Sequence, residues 1–272
     1  MKEDKTIHKY IDEAGDPNFF GKGGKEIIGQ EGVSKTFSLG MVDVKEEDVA
    51  MVEAKILELA KEIETNPYFK SIPSVRKRIK KYGSFIFHAK DDPPEIRKAM
   101  YDLLKEVDYS CQIVVGRKVA GRFIRKHNRN ENEFYADLLS HLLKDKVKQS
   151  LVLNIAQRGS TTNHINLEKA VTKAVERYES RRGKLDCDLS INYNVQDYSR
   201  MPILTIVDYS LWAVQRVFER GETRFYDYIS DKYPLIVDLY DLDSFNAVDE
   251  SGKRLWRHYY TRKNQLTSDN KI

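Results

Sequence analysis

Apolar and polar residues alternate in Ile7-His-Lys-Tyr-Ile-Asp12, with Ile7, Lys9 and Ile11 opposed to His8, Tyr10 and Asp12. This period of two predicts a first strand over 6–12 and sends the side chains of Asp12 and Glu13 to opposite faces. Phe37, Leu39 and Met41 repeat the alternation and predict a second strand over 35–42, separated from the first by a glycine-rich connection, 21–32. Val49, Val52, Ile56, Leu59 and Ile63 follow helical spacing, so 44–64 reads as a helix whose last turn runs into Asn66-Pro67. A basic segment, Val75 to Lys81, and a brief strand-like run, Ser84 to His88, come next. Asp92-Pro93-Pro94 then opens a helix to about residue 107.

The second half alternates more regularly. Strands are predicted over 109–118, 150–156 and 185–195, and helices over 132–147, 167–179 and from Pro202 to about Arg220. The run 150–156 is almost wholly apolar, as suits the middle of a sheet. Strands that pair early and then alternate with helices define an α/β protein with a mixed sheet and helices on its faces. The polar tail from about Ser268 is expected to fray.

Composition narrows the class. A chain of 272 residues with 40% apolar content can bury a sizeable core. Its first residues are charged, and no run approaches the roughly 18 apolar residues of a membrane span. The expectation is a soluble, cytoplasmic protein without a membrane partner. Cys111 and Cys187 are the only cysteines and lie far apart, which offers neither a disulfide framework nor a zinc pattern. Net charge is only +4, yet 32% of residues are charged, so clustering decides more than the sum. Arg76, Lys77, Arg78, Lys80 and Lys81 form one basic run, and Arg117, Lys118, Arg122, Arg125, Lys126 and Arg129 another. Each is either a solvated face or a track for a nucleic-acid backbone, with salt-sensitive affinity.

Candidate chemistry starts where the first strand meets Asp12, Glu13 and Asp16 around Gly15. Glycine enters positive φ freely, so a turn there can bring Glu13 or Asp16 toward Asp12. The cluster reads either as a metal site or as an ordinary Asp-Gly turn. In the last long helix, Leu204, Val207, Leu211, Val214 and Phe218 form an apolar stripe with Asp208 just beyond its edge. A carboxylate so placed costs free energy unless something binds it, either a metal or an arginine such as Arg216. His88, Lys90 and Asp91 follow the run 84–88. There His88 either serves proton transfer or caps the strand, and Lys90 offers a phosphate contact. Arg158, with Gly159 and three hydroxyls, ends the most apolar strand as a possible phosphate cradle. No Walker loop, dinucleotide glycine motif, nucleophile elbow or His-Glu-x-x-His is present.

Three blocks, Tyr10-Ile-Asp-Glu-Ala-Gly-Asp16, Phe87-His-Ala-Lys-Asp91 and Ile206-Val-Asp-Tyr-Ser-Leu-Trp-Ala-Val-Gln-Arg216, resemble the prokaryotic domain of unknown function 3800, a branch of the RNase H-like superfamily. The blocks span most of the chain, and Ala14 stands where the family usually has serine. The resemblance implies an RNase H-like central sheet over 1–222, with a basic helical insertion at about 44–82 and a C-terminal extension, 223–272. It implies Asp12 and Asp208 as ligands of Mg2+ or Mn2+, with Glu13 as an acidic partner. It further implies association with phage defence and mobile elements, whose cassettes supply protein partners. RNase H-like nucleases commonly carry a further carboxylate on an inner strand, whereas this chain offers Asn154 and Gln157. Two expectations follow. One is a metal-dependent nuclease acting on RNA or DNA, with Asp12, Glu13, His88, Lys90 and Asp208 in catalysis and Asp12, Glu13, Asp16 and Asp208 available to metal. The other is a nucleic-acid-binding or partner-regulated protein that keeps the fold without a full metal set. Hydrolysis of a smaller phosphoester uses the same chemistry. Aromatic clusters at 225–228 and 256–260 suit base stacking, packing on the core, or a homodimer surface.

Overall fold

The computed structural model describes residues 6–157, 164–185, 190–241, 243, 246–255 and 258–272. Seven strands form one mixed sheet: β1 (Ile7–Gly15), β2 (Thr36–Asp43), β3 (Ser110–Arg117), β4 (Leu151–Ala156), β5 (Ile191–Gln196), β6 (Leu235–Leu239) and β7 (Tyr259–Tyr260). Their order is β5-β4-β1-β2-β3-β6-β7. β1, β2 and β3 form an antiparallel meander, β4 lies parallel to β1, β5 parallel to β4, and β6 parallel to β3.

Helices cover both faces. On one side α8 (Leu204–Arg220) crosses β1 and β2, joined by α1 (Glu46–Thr65), α3 (Pro73–Tyr82) and α4 (Pro94–Glu106). On the other lie α5 (Ala120–His127), α6 (Glu131–Leu143) and α7 (His164–Arg182). A four-residue helix, α2 (Pro67–Lys70), links α1 to α3, and α9 (Arg224–Tyr228) follows α8. The α8 apolar stripe read from sequence is fully buried, and the helix approaches the sheet so closely that a Cβ on Gly40 would stand 2.8 Å from Leu211 Cγ.

Three departures from the predicted elements have physical causes. Residues 84–88 are not a strand: Phe85 and Phe87 are buried, but the Phe85 N–H donates to Glu64 at 2.7 Å and the His88 N–H to Asp92 at 3.0 Å. Side chains replace the ladder there. The segment Leu235–Leu239 does form a strand, so the C-terminal residues extend the sheet through β6 and β7. The first strand continues past Asp12 to Gly15. Its pairing with β2 runs on to Gly15 opposite Phe37, while its pairing with β4 ends at Ile11 opposite Ile155. Gly15 closes that extension at φ +92°, where a Cβ would lie 2.3 Å from the Thr36 carbonyl oxygen, so only glycine fits.

Candidate active site

Where β4 leaves the edge of β1, a cleft of about 680 Å³ opens. It lies at the carboxyl ends of the parallel strands β1, β4 and β5, the usual place for a ligand in an open α/β sheet. Asp12, Glu13 and Ala14 of β1 form its floor, with Gln157 from the end of β4 and Asp197, Tyr198 and Ser199 from the end of β5. Asp208, Trp212 and Gln215, spaced four and three residues apart along α8, form one wall. Arg78 and Tyr82 of α3, with His88, Lys90 and Asp91, form the other. Asp12, Glu13, His88, Lys90 and Asp208, far apart in sequence, thus share one cavity. Alternation does put Asp12 on the α8 side and Glu13 on the other, yet both reach the cleft because the sheet ends beside them.

Asp12 is 4% exposed and firmly held. One carboxylate oxygen accepts the Glu13 N–H at 2.7 Å, and the other accepts the Tyr198 hydroxyl at 2.5 Å. Asp208 Oδ2 accepts the Ala89 N–H at 2.7 Å, a contact to the turn that carries His88 and Lys90. Arg216, a possible partner of Asp208 on sequence grounds, pairs with Glu222 instead and lies over the Trp212 ring at 5.3 Å.

The His88 turn rests on Asp92. Its buried carboxylate accepts from Arg78, from the Tyr209 hydroxyl and from the His88 N–H. Arg97 clamps the same turn through the carbonyls of Ala89 (2.9 Å) and Asp92 (2.6 Å), with its guanidinium over Trp212 at 4.3 Å. Burial pushes the Asp92 carboxyl above its usual range against the opposing pull of Arg78. His88 itself is 44% exposed in its side chain, with Nδ1 3.7 Å from Asp91.

Other predicted residues lie elsewhere. Asp16 is outside the cleft: Oδ2 accepts the Ser34 N–H and hydroxyl, each at 2.7 Å, and Oδ1 takes Lys118 at 3.1 Å. Burial pushes its carboxyl up, but Ser34 and Lys118 outweigh that and hold it below the usual carboxylate range. A lowered folded pKa contributes stability above the unfolded value, and that stability is lost as pH falls through the folded one. Asp16→Asn should therefore cost roughly 1–2 kcal/mol at pH 7 and less at pH 3, read from urea unfolding at both.

Arg76, Lys77, Lys80 and Lys81 are exposed along α3, whereas Arg78 turns inward to Asp92. In the second basic run, Arg117 binds Asp238 and Asp241, Lys118 binds Asp16, and Lys126 binds Asp137. Each of the three has a carboxylate partner. Arg158 lies outside the described residues. Asn154 is buried in a ladder of amides, accepting from Asn194 at 2.9 Å, which in turn accepts from Gln196 at 2.8 Å. The β4 residue that follows in register beside Asp12 is Ala156.

Tyr198 lies outside every motif read from sequence, and Asp92 enters there only as a helix opener. No periodicity marks Tyr198, which sits in a connection. A family-model scan and a search of curated proteins returned no match.

Among the described residues no three His, Cys, Asp or Glu side chains already stand together as a metal cage. The donors at the cleft are nevertheless carboxylate and amide oxygens, the ligands of hard cations. Mg2+ usually takes one or two carboxylates and keeps its remaining waters. Asp12 and Asp208, with Glu13 and Gln157 nearby, fit that demand.

Proposed function

We propose that the cleft is the active site of a metal-dependent nuclease that hydrolyses RNA or DNA phosphodiesters, with an RNase H-like core. One observation carries the reading: Asp12 and Glu13, where β1 runs on past its pairing with β4, line the same cavity as Asp208 of α8, facing Arg78 and Lys90. The antiparallel meander β1–β2–β3, extended beside β1 by parallel β4 and β5, supports the fold assignment. Resemblance to the prokaryotic family supports Mg2+ or Mn2+ as the cofactor and a place in phage defence.

Asp12 and Asp208 would hold the ion, with Glu13 beside them. Bound there, it would supply a water activated near neutral pH and neutralise charge on the phosphate. Tyr198 and the Glu13 N–H fix the Asp12 carboxylate. Lys90 meets a phosphate oxygen, His88 stands where a leaving oxygen takes a proton, and the exposed Arg76, Lys77, Lys80 and Lys81 of α3 hold the flanking backbone. Tyr198→Phe removes only the hydroxyl that orients Asp12. Cleavage should fall about 10–100-fold with the fold retained, the usual cost of losing an outer partner of a metal ligand.

The reading is tested with labelled single-stranded and duplex RNA and DNA in EDTA, Mg2+ or Mn2+. Metal-dependent cleavage that Asp12→Ala/Asp208→Ala abolishes upholds it. A second reading, binding without cutting, draws on the absence of a carboxylate from the described residues of β4, and retention of nucleic acid without product in every condition would select it.

A further inference from the structure

Between α5, α6 and α7, on the sheet face opposite α8, lies a separate cavity of about 260 Å³. Lys126, His127, Asp137, Lys173, Glu176 and Arg177 line it. Asp137 is only 3% exposed and attracts a dense set of donors. Lys126 Nζ stands at 2.6 Å, Arg177 Nη2 at 2.5 Å and His127 Nε2 at 3.3 Å, and the Tyr240 hydroxyl also donates to it. The Arg122 guanidinium lies over the Tyr240 ring at 4.7 Å.

Glu133 takes Lys173 at 2.7 Å, which leaves Asp137 facing Lys126, Arg177 and, further off, Arg122. Burial pushes the Lys126 ammonium down, and Arg177 and Arg122 push it further, against the pull of Asp137. Burial and then the charge of Arg177 drive the neighbouring His141 imidazole down to about 3. His127 is 2% exposed, and its Nδ1 is buried with no hydrogen-bond partner among the described residues. An orphaned buried nitrogen is costly and calls for a ligand or a water.

We propose that this cavity binds a small phosphate-type oxyanion, seated among Lys126, Lys173 and Arg177 beside the His127 ring. Its volume is below the roughly 300 Å³ at which drug-sized pockets begin, so it suits a phosphate or diphosphate group rather than a whole nucleotide. Charge-assisted bonds to ammonium and guanidinium groups give such a site its affinity. Glu176, exposed at the rim, is the carboxylate whose repulsion the cations must overcome. The assignment does not depend on the reading of the cleft.

Two rim substitutions that spare the buried Asp137 network test it with opposite signs. Inorganic phosphate and pyrophosphate are titrated by calorimetry at constant ionic strength, with chloride as control, while the His127 imidazole signals are followed by NMR. Saturable binding that shifts His127 is expected, about tenfold weaker in Lys173→Gln and severalfold tighter in Glu176→Gln. The stronger of the two ligands identifies whether a single phosphate or a diphosphate fills the site. No saturable binding overturns the proposal. Equal affinity in both variants does so too, because the anion then sits elsewhere.

Discussion

If the cleft cuts phosphodiesters as proposed, Asp12→Asn should lower metal-dependent cleavage by about a thousandfold while the protein stays folded. Charge neutralisation by a bound ion is worth several kcal/mol in such reactions, and each 1.36 kcal/mol is tenfold in rate. Asparagine retains one side-chain oxygen to accept the Glu13 N–H and fills the same space, so the loss falls on the charge rather than the packing. Rates at saturating Mn2+, compared with circular dichroism and melting temperature, separate the two. Asp208→Asn should fall similarly. Undiminished cleavage by Asp12→Asn would remove the cleft from consideration as the site of chemistry.

Asp92→Ala carries the largest expected effect on stability. Arg78, 12% exposed in its side chain, would be left as a buried unpaired cation, and the Tyr209 hydroxyl and His88 N–H would lose their acceptor. Breaking a buried pair from one side costs about 3–5 kcal/mol. Urea unfolding measures this. Cleavage should fall too, since Lys90 and His88 ride on the turn that Asp92 anchors. Replacing both partners, as Asp92→Leu/Arg78→Met, should restore part of the stability, because no charge then remains buried although the Tyr209 hydroxyl and His88 N–H still lack their acceptor. Activity should stay low. Equal stabilities of Asp92→Ala and the parent would show that the network does not hold the turn.

Much of this was legible in the chain. Period two at Ile7–Asp12 and Phe37–Met41 marked the first two strands, and the apolar stripe of the last long helix marked the face it buries. The helical stripe also set Asp208 apart as a carboxylate in want of a partner. Register was not legible: nothing in the sequence says that β4 stops pairing at Ile155 while β2 continues to Phe37, and that offset opens the cleft. Phe85 and Phe87 looked like strand residues because burial of alternate aromatics has the same period whether the backbone is paired in a ladder or tied by side chains. Asp16 and Asp12 look alike in sequence, and only the fold reveals that Ser34 and Lys118 take one of them. The partnership of Tyr198 with Asp12 joins segments too distant for any local pattern to record.

The placement of α8 across β1 also sets a clock on biosynthesis. Asp12 and Asp208 are separated by about 200 residues, and chains grow at roughly 5–20 residues per second. Some 10–40 s pass between the synthesis of one wall of the cleft and that of the other. Throughout that interval the cleft lacks a wall, and it is complete only when α8 docks.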